Sequence, residues 1–338
     1  TFSKSYSQFV PGNTGINTTH STVLNEGKID ASETGIYAAD NIKTINTGEI
    51  NGKTGMEIIS GTEEYSGHFL NTGKISGTDY AVKFDDNDSV FELGNGSVIS
   101  GKIDASGGEN VLIVNGNVNI ESADNFSKIV SRGNSEISGI VNLNPATDKS
   151  YYTEAFSGKK SMTDLAAETD LGELTLSGVI NVGINYDGIT AETNKTGKII
   201  ASSVNLQNGN IVLNNAGSTV KNIAEESGLT NYGDQIRVKS IVISNKQQAV
   251  DPSFQFQTSG GMNEAAGWKR ETVSRIEDGV TVLDELYTNL NKEVPVIPDP
   301  VPAPEPAPAP APNPKPTTAE KTNAVPRNRV DLDGLNRL

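Results

Sequence analysis

The sequence predicts an all-β chain: a right-handed parallel β-helix with a small C-terminal cap and a disordered Pro-rich tail. Three observations carry that prediction. The first is a phrase that recurs as Leu24-Asn25-Glu26-Gly27-Lys28-Ile29, Ile45-Asn46-Thr47-Gly48-Glu49-Ile50 and Leu70-Asn71-Thr72-Gly73-Lys74-Ile75. Looser copies stand at Leu93-Gly94-Asn95-Gly96-Ser97-Val98 and Ile113-Val114-Asn115-Gly116-Asn117-Val118. The glycines are separated by 21, 25, 23 and 20 residues, a period that marks stacked repeats. The second is the run of short β-type segments after each phrase: Gly35-Ile36-Tyr37-Ala38, Met56-Glu57-Ile58-Ile59 and Tyr80-Ala81-Val82-Lys83-Phe84. The third is composition. Apolar residues make up only 35% and aromatics 6%, yet Ile, Val and Leu recur periodically over residues 15–250, which argues against disorder.

One rung of this kind cannot bury its own apolar face, whereas stacked rungs place the same Ile and Leu positions above one another. Ile29, Ile50, Ile75 and Val98 are the expected core column. The Asn-x-Gly step is read as backbone that tolerates positive φ and turns sharply. A β-sandwich, which also uses many short strands, is the alternative architecture.

Residues 1–22 read as a partial first rung or a frayed end, and the solenoid proper as residues 23–258. Residues 145–172 break the pattern and read as an excursion from it, with a short helix over Met162–Glu168. β-runs resume at Leu174-Thr175-Leu176-Ser177 and Val179-Ile180-Asn181-Val182. A helical turn or two is expected from Val220 to Glu226, then a strand from Ile236 to Ser244. In residues 268–292 Val273, Ile276, Val280, Leu283, Tyr287 and Leu290 step by three and four, which is helical spacing. Asp278-Gly279 interrupts it, so the expectation is strand or turn before Gly279 and a short helix after it. Residues 259–294 are assigned as a cap over the solenoid's open edge. Residues 295–316 hold eleven of the fifteen prolines and read as an extended spacer within a linker ending at 324. At ~3.1 Å per residue that spacer reaches about 70 Å. Residues 325–338 open a new element.

The balance of 42 acidic and 27 basic residues gives a net charge of −15, with no Lys/Arg stripe, which argues against nucleic-acid binding. The chain has no cysteine, so disulfides, thiolate catalysis and Cys-based zinc sites are excluded. Absence of cysteine suits a chain that crosses an oxidising periplasm unfolded. No stretch approaches the ~18 apolar residues of a membrane helix. The opening at Thr1, without Met or a signal-like segment, reads as an internal cut.

Signatures of catalysis are missing: no Gly-x-Ser-x-Gly elbow, no His-Glu-x-x-His, no phosphate loop. His20 and His68 read as surface or turn residues. Asp85-Asp86-Asn87-Asp88 reads as a solvated turn, since calcium needs several converging oxygens and no EF-hand spacing is present. The acids Asp104, Glu109, Asp187 and Asp234 are scattered, and no pair can be placed. No cofactor, metal or catalytic residue is expected. The excursion concentrates Tyr151, Tyr152, Phe156, Lys159 and Lys160 in an otherwise aromatic-poor chain. These five are the candidate partner contacts. Packing of the loop back onto the solenoid is the alternative.

Asn-x-Gly-x-Ile rungs, a terminal cap, a Pro-rich tether and the run Arg327-Asn328-Arg329-Val330-Asp331-Leu332-Asp333-Gly334-Leu335 together resemble the C-terminal passenger of a type V autotransporter of Gram-negative bacteria. The resemblance covers nearly the whole chain and rests on architecture. It implies a non-catalytic, surface-displayed stalk, tethered to the outer membrane by a β-barrel translocator in cis that is absent from this sequence. Its partner would be an unidentified host or bacterial cell-surface ligand. The stalk of a secreted subtilisin-like protease and a carbohydrate-active β-helix enzyme are the alternatives. No family catalytic residue carries over, because no position matches a protease motif.

Overall fold

The recurring phrase builds one corner of a three-faced parallel coil. In the computed structural model the chain is described over residues 2–5, 8–9, 13–40, 43–59, 68–85, 88–145, 151–152, 159–160, 170–185, 192–193, 195–215, 219–260 and 266–291. Face one stacks Phe2–Ser5, Thr22–Asn25, Lys43–Asn46, His68–Asn71, Val90–Gly94, Val111–Asn115, Lys128–Ser131, Lys198–Ile200 and Gln235–Ser244, each parallel to the next. Face two begins after the Asn-x-Gly corner. It runs through Lys28–Asp30, the first half of Glu49–Ile59, the first half of Lys74–Phe84, and Val98–Ser100. A bridge from Val98 to Asn119 leads on to Asn117–Val118, Gly133–Ile137, Leu171–Leu176 and Ser203–Leu206. Face three carries Thr14–Thr19, Thr34–Ala39, the second halves of those two long strands, Lys102–Asp104, Ser122–Phe126, Ile140–Leu143, Val179–Gly183, Asn210–Asn215 and Gln257–Gly260. Phe2–Ser5, Gln8–Phe9 and Thr14–Thr19 therefore pair as a rung of their own.

Register places like side chains over like. On face three Ile16, Ile36, Met56, Val82, Ile103, Ala123, Val141, Ile180 and Ile211 are successive partners, a column about 38 Å long at the strand spacing. On face one the column is Val23, Thr44, Phe69, Phe91, Leu112, Ile129, Ile199, Val242 and Leu283. Phe84 meets Phe69, Phe91 and Phe126 edge-on at 6.0, 5.7 and 6.1 Å between ring centres, filling the coil where it is widest in aromatic content. Each fully buried Ile, Val or Leu contributes about 1.5–3 kcal/mol against an exposed reference.

The face-two column departs from expectation at its fourth member. Ile29, Ile50 and Ile75 are stacked and buried as expected, but Ile99, not Val98, follows Ile75. Val98 points outward and is 48% exposed. The cause is a shift of the phrase: Leu93 pairs with Asn71, not with Leu70, and the corner Gly94-Asn95-Gly96-Ser97 is longer.

The asparagine of the phrase has a stronger role than turning. Asn25, Asn46 and Asn71 are buried and form an inner ladder, each amide donating to the next Oδ1 at 2.7 Å. The second amide hydrogens are taken by corner carbonyls, Asn46 Nδ2 to Lys74 O at 3.2 Å and Asn71 Nδ2 to Gly73 O at 2.9 Å. The ladder ends where Leu93 takes the next slot, and there Ser97 Oγ donates to Asn71 O at 2.5 Å. Glycine is required for a different reason than positive φ, which Gly48 and Gly73 do not adopt. A Cβ on Gly48 would stand 2.0 Å from Gly27 O, and one on Gly73 2.1 Å from Gly48 O. Close stacking of successive corners, rather than handedness of the turn, selects the residue.

The C-terminal end is closed by antiparallel strands. Val280–Asn289 pairs with Gln235–Ser244 and with Trp268–Glu277. The expected helix after Gly279 is therefore a strand, and Asp278-Gly279 turns the hairpin with φ of 50° and 86°. Both sides of Val280–Tyr287 are buried, so apolar residues occur at both parities and imitate helical spacing. Among the described residues the outer strand, Trp268–Glu277, ends the sheet, and its Lys269, Arg270, Glu271, Arg275 and Glu277 charge that edge against further pairing. Helix α1, Val220–Glu226, forms as expected, with Thr219 Oγ1 accepting from Asn222 N at 3.0 Å. The expected helix over Met162–Glu168, the Pro-rich linker and residues 325–338 lie outside the described residues.

Candidate interaction surface

The excursion leaves the coil after Ile140–Leu143 on face three and re-enters at Leu171–Leu176 on face two. That rung contributes no strand to face one, where Lys128–Ser131 pairs directly with Lys198–Ile200. Within the excursion Tyr151–Tyr152 and Lys159–Lys160 form an antiparallel ribbon, Tyr151 opposite Lys160 and Tyr152 opposite Lys159. Four of the five predicted contact residues thus share one ribbon. Phe156 lies outside the described residues. The return is anchored by Arg132, largely buried, whose guanidinium meets the Asp170 carboxylate at 2.7 Å.

Side chains that point outward from face three are largely paired among themselves. Lys102 reaches Asp104 at 3.5 Å and Asp124 at 3.0 Å. Asn125 donates to Asp104 at 2.7 Å, Asn142 donates to Asp124, and Asn181 donates to Asn142 at 2.7 Å. Partial burial pushes the Asp104 carboxyl up, but the Asn125 amide, the Ser106 backbone N–H and Lys102 outweigh it and hold it below its ordinary value. Asp124, by its hydrogen bond, leads the groups that raise the Lys102 ammonium. An acid such as Asp104, held below its ordinary value and clamped by a cation, suits a structural strut better than general acid chemistry, which needs a carboxyl poised near neutrality.

Of the remaining scattered acids, Glu109 and Asp234 are also held in local contacts. Asp88 accepts from Glu109 N at 2.7 Å, Glu109 pairs with buried Lys128 at 2.9 Å, and Asp234 accepts from Asn231 N at 2.7 Å. Asp86, Asn87 and Asp187 lie outside the described residues. Among the described residues no three His, Asp or Glu side chains converge on a metal position.

His20 is exposed in a turn with φ of 51°, as expected. His68 is not: it is 3% exposed on face one, with Nε2 2.9 Å from Glu92 Oε2. Burial pushes the Glu92 carboxyl up. The hydrogen bond and charge of His68, the Arg132 charge and the Asn115 amide pull harder and leave it below its ordinary value. Alignment of His68-Phe69-Leu70-Asn71 on Lys43-Thr44-Ile45-Asn46 carries the signal that His68 belongs to a strand.

The cap holds the other buried charges. Asp284, fully buried, accepts from Arg237 Nη1 at 3.0 Å, Arg275 Nε at 2.6 Å and Ser240 N at 2.7 Å. These contacts pin a bulge in Gln235–Ser244, where Ser240 has φ of 57°. Next to it, Glu285 is pushed up to about 7 by burial, against the Thr272 hydroxyl at 2.8 Å and the Arg270 guanidinium at 3.4 Å. A shallow groove of about 190 Å³ opens beside this cap, with Phe254, Gln247, Gln248 and Thr272 in its wall.

No protein-family model and no curated protein matches this sequence. Among the described residues no helix is long and apolar enough to cross a membrane, which leaves membrane-spanning strands unaddressed.

Proposed function

We propose that this chain is the β-helical stalk of a surface-displayed autotransporter passenger, acting in adhesion or in display of a binding region rather than in catalysis. The observation that carries the reading is the order of parts. A register-matched parallel coil is closed by the antiparallel hairpin Trp268–Asn289, and the tract with eleven of the fifteen prolines follows it in sequence. A stalk needs a rigid body, a stop to its growing edge and a tether, in that order. Outward side chains tied to one another, as in the Lys102–Asp104–Asp124 strut, suit a surface exposed to variable surroundings. The cysteine-free composition supports the same reading, since passage through an oxidising compartment in an unfolded state tolerates no disulfide. The proposed location is the cell surface of a Gram-negative bacterium, with the partner a cell-surface ligand and the translocator a β-barrel in cis.

Beads coated with the purified chain test this. Attachment to epithelial cells or to bacteria well above albumin-coated beads is expected, with no turnover of casein or of bacterial and host polysaccharides. Attachment no better than albumin on every surface, or measurable hydrolysis, would overturn it.

A further inference from the structure

Glu285 lies where a carboxyl is hard to ionise and where little chain separates it from solvent. It shares the inward parity of Leu283 and Tyr287 on Val280–Asn289, and both of those belong to the main core. Its side chain is 1% exposed. The facing residue on Gln235–Ser244 is the apolar Val238, and the one on Trp268–Glu277 is Thr272. Neighbouring charges are engaged elsewhere. Arg237, Arg275 and Glu277 gather about Asp284, which has the opposite parity. Lys269 pairs with Glu271, and Asp251 stands on the exposed rim of the groove, bound to Ser253. Arg270 is the charge that acts on Glu285, and it is shared. Its Nε stands 3.4 Å from Glu285 Oε1, while its Nη1 donates to Phe256 O at 3.0 Å and to Thr258 Oγ1 at 3.2 Å.

The cover over this acid is slight. Residues 247–252 and Phe254 form one wall of the shallow groove, and Thr272 and Leu283, which flank Glu285, stand in the other. Buried Ala249 and Phe256 seat the segment, with Phe254 edge-on to Phe256 at 4.9 Å. Its backbone is tied down by Val204 N donating to Ala249 O at 2.8 Å, by Arg270 on Phe256 O, and by Phe256 N donating to Thr272 Oγ1 at 3.2 Å. That same hydroxyl donates to Glu285 Oε2 at 2.8 Å, so the carboxyl and the segment are joined through one atom. The hairpin beneath is held far better, paired along the whole of Trp268–Glu277.

We propose that residues 247–256 are a pH-responsive lid, closed over the end of the coil while Glu285 holds a proton and loosened when it ionises. An ionised Glu285 keeps one hydroxyl hydrogen and a shared guanidinium, too few donors for two buried carboxylate oxygens. Lifting the segment hydrates it, and the groove already opens beside it. Burial pushes this carboxyl up to about 7 from an ordinary 4.5, against the pull of Thr272 and Arg270. The open lid leaves Glu285 with its ordinary value, so closure is fully favoured below that value and is lost as pH rises through 7. Between pH 5 and pH 8 the ratio of open to closed lid should rise roughly fiftyfold. This behaviour belongs to the cap alone and is independent of what the stalk displays.

Hydrogen exchange read by mass spectrometry, corrected for the intrinsic pH dependence of exchange, tests this on the full chain. Protection over residues 254–256 should fall roughly fiftyfold from pH 5 to pH 8, while residues 43–50 keep theirs. Trp268, the single tryptophan and buried in the hairpin, should keep its emission, because the hairpin stays docked. Glu285→Gln, which cannot ionise, should leave the segment protected at both pH values. Equal protection at pH 5 and pH 8 in the unmutated chain would overturn the lid, whether or not the variant folds. So would a fall that persists in Glu285→Gln. A fall accompanied by a shift in Trp268 emission, or by lost protection over residues 43–50, would also overturn it, since the cap or the coil would then be opening as a whole.

Discussion

Asn46→Ala isolates the inner amide ladder from every other feature of the corner. Asn46 is 1% exposed and lies between Asn25 and Asn71, with a 2.7 Å hydrogen bond on each side. Truncation leaves the Asn71 Oδ1 without its donor and removes the acceptor of one Asn25 amide hydrogen. The other bond of Asn25, to Glu49 O at 3.3 Å, survives. A buried polar atom left without a partner costs about 1–3 kcal/mol, so two such losses amount to about 2–6 kcal/mol. Asn51→Ala is the control. Asn51 donates to Asp30 at 2.6 Å and to Glu49 at 3.0 Å on the half-exposed outside of the same rung, where water replaces both bonds. Its cost should stay within about 0.5 kcal/mol. Urea denaturation followed by circular dichroism, with the two variants measured side by side, reads the difference. Solenoids unfold locally as well as globally, so hydrogen exchange at residues 43–50 complements the midpoint. Equal loss in the two variants would mean that the asparagine serves the turn rather than a ladder, and the reasoning about the corner would fail.

Two further outcomes follow from the register and the cap. Ile99→Asp should be severe, at several kcal/mol, because it puts an unpaired carboxylate under Ile75, while Val98→Asp on the 48%-exposed neighbour should be tolerated; reversal in thermal melts would restore the phrase-based alignment. The Glu285 carboxyl is pushed up to about 7 from an ordinary 4.5 by burial, so between those values the folded chain holds a proton that the unfolded chain has released. That contribution is complete below the unfolded value and is lost as pH rises through the folded one, by about 3 kcal/mol in total. Denaturation midpoints should therefore fall from pH 5 to pH 8 in the native chain, and Glu285→Gln should flatten that fall.

Legibility in the sequence followed the regularity of the repeat. Where three copies of the phrase agree, at Gly27, Gly48 and Gly73, the stacking of Ile29, Ile50 and Ile75 was readable with its register. At Leu93 the copy still looks like the phrase, but the leucine has moved into the asparagine slot, and one residue of slip turns Val98 outward. Spacing alone cannot distinguish those two alignments, because both keep an apolar residue near each required position. The hairpin was misread for a related reason: a strand buried on both sides, such as Val280–Asn289, has no alternation to display. The candidate contacts on the excursion were found by composition, as an aromatic cluster in a poor background. The buried outer side of face one, whose members at 113, 130, 200 and 243 are spread over more than a hundred residues, shows no local pattern in the sequence. His68 and Glu92 become a pair only when rungs 24 residues apart are stacked.

The parallel, rung-by-rung register is the claim on which the rest depends, and disulfide trapping tests it most directly. Glu57 and Lys83 are direct partners on adjacent rungs of face three, and Asp104 is the next partner beyond Lys83. Adjacent parallel strands lie about 4.8 Å apart, within the Cα separation a disulfide accepts, whereas two rungs separate the ends by about 9.6 Å, which it does not. In the cysteine-free chain, Glu57→Cys with Lys83→Cys should oxidise to an intramolecular crosslink without loss of β-sheet signal, and Glu57→Cys with Asp104→Cys should not. Efficient crosslinking of the second pair, or failure of the first in the folded protein, would contradict the coil described here.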